Sequence, residues 1–154
     1  MSERLVPISI GNILVGFDGS EHSKKAAELS VDLAVKWNAE LYLIHVLEEK
    51  ETVLPEAYRE YAKVEHVDPS AYFDSIYEFL QPVEDRARAA GIKKLERINA
   101  WGHPAEEILK AAQEHNADVI ILGCRGHGKF PRAFLGGVAT KVLTHANCSC
   151  IIVK

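Results

Sequence analysis

The residues best equipped for chemistry lie in Gly123-Cys124-Arg125-Gly126-His127-Gly128-Lys129, followed shortly by Gly136-Gly137. Glycines tolerate positive φ and let backbone N–H groups approach a bound oxyanion that a Cβ would hold off. Arg125 and Lys129 would supply counter-charge, Arg125 through a two-pronged fork. That combination predicts a phosphate-type anion site. The stretch from Gly123 to Lys129 also fits the first positions of G-x-x-x-x-G-K. Phe130 then stands where a P-loop needs a Ser or Thr for magnesium, and Pro131 breaks the expected helix, so a P-loop is excluded. A second candidate is Asp18 in Asp18-Gly19-Ser20, which can contact a ligand, cap the next helix, or do both. A phosphoacceptor role for Asp18 lacks the paired acidic cluster it needs, because Glu21 is its only acidic neighbour.

The remaining reactive side chains carry weaker signals. Cys148 and Cys150 are two residues apart and share one face of a strand. A metal site there would have to recruit His145 and Cys124, and cysteines acting as small hydrophobes are the commoner case. Cys124 beside Arg125 is a candidate redox thiol. His45 sits among apolar residues as an interior group, and His127 is either a phosphate contact or a solvated loop residue. No nucleophilic triad, paired-carboxylate motif or metalloprotease signature is present, which argues against a dedicated hydrolase and predicts no catalytic residues.

These residues need elements to hold them. Residues 11–17 form an apolar run ending at Asp18, as expected of a strand buried on both faces. Residues 21–37 shift to helical spacing, with Ala26, Ser30, Leu33, Ala34 and Trp37 on one stripe and Asp18 or Ser20 as cap. A second strand covers 40–46. Residues 48–69 carry many acids without a clean period and read as a surface insertion. A helix over 71–90 ends at Gly91. A third strand spans 95–101, and Pro104 opens another helix with Glu106 and Glu107 facing its dipole. The fourth strand covers 118–122, a helix 135–145, and a fifth strand 148–153. Strands alternating with helices predict a single-domain, doubly wound α/β fold over residues 1–154, with helices on both faces of a five-stranded parallel sheet. Fold habit, rather than spacing, gives the order 3-2-1-4-5. That order places Asp18 and Gly123 side by side, where ligands bind in such sheets.

Composition sets the outer bounds. The chain has 154 residues, 47% hydrophobic and 26% charged, with a formal net charge of −4. A disordered chain is excluded by apolar runs such as Val119–Leu122. No apolar stretch approaches the roughly 20 residues of a membrane-spanning helix, and no signal peptide is visible. Three cysteines make a poor disulfide framework, so a reducing, cytoplasmic home is expected. From Val119 to Lys154 no acid occurs, yet Arg125, Lys129, Arg132, Lys141 and Lys154 do. Such clustering predicts a local anion site and is too narrow for a nucleic-acid face.

Gly123-x2-Gly126-x9-Gly136 at the end of the fourth strand resembles the nucleotide-binding signature of the universal stress protein family. So do the opening Ile13-Leu14-Val15-Gly16-Phe17-Asp18-Gly19-Ser20 and the Leu43-Ile44-His45-Val46 strand. Ala117 to Gly123 and the closing Ile151-Ile152-Val153-Lys154 complete the pattern. The resemblance implies ATP binding, with Mg2+ or Mn2+ on the phosphates, by a stress-response sensor or regulator that at most hydrolyses slowly. It places Phe17, Asp18 and Val46 around adenosine and counts Leu122 among the nucleotide-binding residues. It places Gly123, Arg125 and Gly126 at ribose and phosphates, and Gly136, Gly137 and Val138 at the phosphate tail. It also implies a homodimer through strand 148–153, with protein partners unspecified. One residue departs from the pattern: the family has Ser or Thr where this chain has Gly137. The lost hydroxyl contact is worth about 1 kcal/mol. The alternative reading is a dimeric interaction module of the same fold that needs no nucleotide.

Overall fold

Val, Ile and Leu crowd residues 13–15, 41–44 and 119–122, and such side chains on a pleated backbone need cover on both faces. They obtain it in a computed structural model that describes residues 8–48, 74, 77–126 and 135–154. The strands are β1 (Asn12–Gly16), β2 (Glu40–Leu47), β3 (Leu95–Trp101), β4 (Val119–Gly123) and β5 (Ser149–Val153). All pair in parallel, in the order β3-β2-β1-β4-β5, as expected. The helices are α1 (Glu21–Trp37), α2 (Gln81–Ala89), α3 (Pro104–Glu114) and α4 (Gly137–His145).

Alternation along each strand divides the core in two. Ile13, Val15, Leu41, Leu43, Val119 and Ile121 pack with Ala26, Ala27, Val31 and Ala34 of α1 and with Val83 and Ala87 of α2. Leu14, Tyr42, Ile44, Ile120 and Leu122 pack on the opposite face with Ile108 of α3 and Val142 of α4. Burying each Leu, Ile or Val contributes about 1.5–3 kcal/mol. Central β1, with Ile13, Leu14 and Val15 wholly inaccessible, is the most deeply buried strand of the sheet's middle.

Several boundaries move from expectation. Ser20, not Asp18, caps α1, its side chain accepting the Ser23 N–H at 3.2 Å. Trp37 leaves the core stripe because α1 closes one residue later at Asn38 in the left-handed conformation, and it stays 38% exposed. The last helix begins at Gly137 rather than residue 135, because a 2.7 Å bond from Gly136 N–H to the Cys124 carbonyl holds Gly136 extended. Of the helix expected over 71–90, Asp74 and residues 77–90 are described, the regular helix covers Gln81–Ala89, and Gly91 follows it at φ 79°. Apart from Glu48, the insertion over 48–69 lies outside the described residues, as do His127, Gly128, Lys129, Phe130, Pro131 and Arg132.

One buried feature had no sequence signal. Glu84 of α2 is fully inaccessible and receives both prongs of Arg97 from β3, each at 2.6 Å. The guanidinium stacks 4.7 Å from the Tyr77 ring centroid. The Tyr77 hydroxyl lies 3.1 Å from the Leu43 carbonyl and 3.0 Å from that of Ile98, and burial pushes its phenol well above the ordinary range. This triad fastens α2 to the β2–β3 half of the sheet.

Candidate functional site

At the carboxyl ends of β1 and β4 the chain leaves in opposite directions, into α1 on one face and α4 on the other. A crevice opens wherever neighbouring strands of a parallel sheet part this way. Here it is a cleft of about 410 Å³. Phe17, Asp18, Val46, Leu122, Gly123, Arg125, Gly126, Gly136, Gly137 and Val138 all line it, so these expected residues are brought to one place. Lys129 and His127, the other proposed phosphate contacts, lie outside the described residues.

The glycines are required by close approach. A Cβ on Gly123 would sit 2.8 Å from the His22 carbonyl carbon and the Ser23 nitrogen, backbone atoms of α1 that cannot yield. On Gly126 it would meet Asp18 Oδ2 at 2.5 Å, so the loop after β4 closes directly on the Asp18 carboxylate. On Gly136 it would press against the Cys124 carbonyl at 3.2 Å. Gly137 differs, for a Cβ there meets nothing within 4 Å. The space for a Ser or Thr is present, and only the side chain is missing. Thr140 does not replace it, because its hydroxyl donates to the Gly136 carbonyl at 2.9 Å.

Asp18 is held by a tight turn. Its Oδ1 accepts the Ser20 N–H at 2.9 Å, and its own N–H points to Ser23 Oγ at 3.4 Å. The Ser23 hydroxyl in turn donates to the Ser20 carbonyl at 2.9 Å. The cleft wall is otherwise apolar, from Ile44, Val46, Leu122, Pro104, Ile108 and Val138, which suits a flat heterocycle more than a free anion. At its polar rim stand Arg125, the first-turn N–H groups of α4, and Glu48. Lys141, the next described cation of the acid-free C-terminal stretch, is 3.5 Å from Glu106 and is not among the residues lining the cleft.

Sequence reasoning gave Ser20 only as a helix cap, passed over Ser23 and the apolar wall from α3, and treated His45 as an interior group. His45 is 5% exposed, as expected, but it also lines the cleft, its Nδ1 lying 2.7 Å from the Phe17 carbonyl oxygen. Its place directly before Val46 at the end of β2 was the one available signal.

The cysteine alternatives gain no support. Cys124, Cys148 and Cys150 are free thiols, and burial raises the pKa of both Cys148 and Cys150, as befits small hydrophobes. Among the described residues no group of three or more His, Cys, Asp or Glu is arranged to hold a metal. Among them, too, no helix is long and apolar enough to cross a membrane.

The sequence profile of the universal stress protein family matches residues 9–154. A universal stress protein of Thermus aquaticus is 32% identical over 143 residues, covering 92% of this chain and 97% of its own. UspA from Lactobacillus plantarum has the same fold, with a TM-score of 0.75 at 23% identity over 96% of this chain and 100% of that one. A universal stress protein solved in complex with cAMP is 25% identical, with a TM-score of 0.66 over 96% and 98% of the two chains. With the sheet order, the glycine-lined crevice and these likenesses together, the chain belongs to the universal stress protein family.

Proposed function

We propose that this protein binds an adenosine nucleotide, ATP foremost, in the cleft between the ends of β1 and β4, and acts as a cytoplasmic stress-response sensor or regulator. The observation that carries this is the convergence of Phe17–Asp18, Val46, Leu122–Gly126 and Gly136–Val138 on one crevice in which a Cβ at Gly123 would strike the α1 backbone and one at Gly126 would displace the Asp18 carboxylate. The apolar wall would receive the base, with Asp18 at the ribose. Backbone N–H groups of Gly126, Gly137 and Val138, with Arg125, would hold phosphate oxygens, and Gly136 would give them room to approach. Mg2+ or Mn2+ would arrive on the phosphates, neutralising charge that would otherwise face Asp18 and Glu48. The relative with cAMP bound supports an adenine nucleotide as the ligand class. Regulation rather than catalysis fits the site, with slow hydrolysis at most.

Calorimetric titration of ATP with magnesium, after denaturing a sample to detect co-purified nucleotide, tests this. A micromolar affinity is expected. No heat and no released nucleotide would overturn it.

A second reading is a dimeric interaction module that needs no nucleotide, favoured by the missing side chain at Gly137. Both readings include a homodimer through residues 148–153. β5 is the outer strand of its edge of the sheet, with Cys150, Ile151, Ile152 and Val153 only partly buried, and an unpaired apolar edge needs cover. Light scattering at micromolar concentration is expected to report twice the 17.1 kDa chain mass, and a monomer would refute the interface.

A further inference from the structure

The peptide joining Phe17 to Asp18 is the point where β1 leaves its ladder and turns into the cleft. Its last backbone rung runs from Phe17 N–H to the Ile44 carbonyl at 2.9 Å. The Phe17 carbonyl is then met by a side chain, His45 Nδ1, at 2.7 Å and in a buried setting. A carbonyl only accepts, so Nδ1 carries the proton and donates. The other edge of the same rigid peptide plane, the Asp18 N–H, faces Ser23 Oγ of α1 at 3.4 Å. The plane is therefore gripped from both sides, by β2 through His45 and by α1 through Ser23. Its orientation fixes the direction in which the Asp18 carboxylate reaches across to Gly126, where Oδ2 fills the space a Cβ would take.

We propose that His45 is a positioning residue of the nucleotide site, which clamps the Phe17–Asp18 peptide and so aims Asp18 across the cleft. This rests on the nucleotide reading for its ligand, though not for the clamp itself. The bond lies in a low-dielectric interior, where leaving the carbonyl without its donor is costly.

Three forms of the protein test it. His45→Leu keeps apolar bulk and loses the donor. His45→Asn places an amide N–H where Nδ1 was, at the expense of burying an additional polar group. A merely space-filling His45 predicts that Leu binds ATP as wild type and Asn binds worse. The clamp predicts the reverse order: His45→Leu weakens ATP about tenfold and His45→Asn restores binding to within about threefold. In the ligand-free protein, exchange of the Asp18 amide should speed up about tenfold in His45→Leu while Ile120 and Ile121 amides keep their protection. Unchanged Asp18 exchange overturns the clamp whether or not nucleotide binds. ATP binding absent from wild type refutes the nucleotide reading instead. Should the Leu variant fail to fold, the 15N spectrum of the wild-type imidazole decides: a proton on Nδ1 supports the clamp, and a bare Nδ1 refutes it.

Discussion

Strands β1 and β4 lie side by side with an aspartate at each end of the pair, and the two aspartates do opposite things. At the amino end, Asp118 Oδ2 accepts the N–H groups of Gly11 and Asn12 at 2.8 and 2.9 Å, and its own N–H donates to the Asn12 carbonyl at 2.9 Å. Asn12 adds a side-chain bond to the Asn116 carbonyl at 3.2 Å. That end is sutured shut. At the carboxyl end, Asp18 Oδ1 is bound within its own turn by the Ser20 N–H, and Gly126 comes so close that a Cβ there would lie 2.5 Å from Oδ2. There the carboxylate faces an open crevice. One residue type therefore closes one end of the strand pair and lines the cleft at the other.

The difference can be broken most severely at Gly123. Gly123→Val drives a side chain into the α1 backbone 2.8 Å away; urea denaturation should show a loss of about 3 kcal/mol, and calorimetry no ATP binding. Asp118→Ala should cost about 2 kcal/mol by the same denaturation assay yet leave the ATP dissociation constant unchanged, because its bonds lie at the sutured end. Gly126→Ala sharpens the contrast from the other side. Its Cβ meets only Asp18 Oδ2, which can swing aside, so stability should fall by about 1 kcal/mol while ATP binds about tenfold more weakly. The smallest effect is expected at Gly137→Ser, where nothing lies within 4 Å. Removing a glycine from the first helical turn should add about 0.5 kcal/mol of stability, and the hydroxyl should tighten ATP about threefold. Equal effects of Asp118→Ala and Gly126→Ala on binding would erase the distinction between the two ends.

The fold was legible because its signals are local. Continuous apolar runs, a Pro at the start of α3 and Gly91 after α2 each state their element within a few residues. The cleft was legible for a related reason, since Gly123, Gly126 and Gly136 are spaced where close approach is their main use. What stayed hidden depends on register and on partners distant in sequence. Glu84 sits in the highly charged stretch Glu84-Asp85-Arg86 and reads as solvated, yet it is buried because Arg97 arrives from β3. Asp118 reads as a strand residue until β1 is laid beside it. His45 looks like ordinary interior packing, and only the pairing of Gly16 with Ile44 brings its ring to the Phe17 carbonyl. The capping role divided between Asp18 and Ser20 could be settled only by backbone geometry, which gives it to Ser20.

The most direct measurement is an ATP-magnesium titration of 15N-labelled protein followed by amide resonances at both ends of β1. Shifts concentrated at Asp18, Gly123, Gly126, Gly136 and Gly137, with Gly11, Asn12 and Asp118 unmoved, are the predicted result. Unmoved resonances at the carboxyl end at millimolar ATP, or shifts centred on Gly11 and Asp118, would contradict the placement of the nucleotide in this cleft.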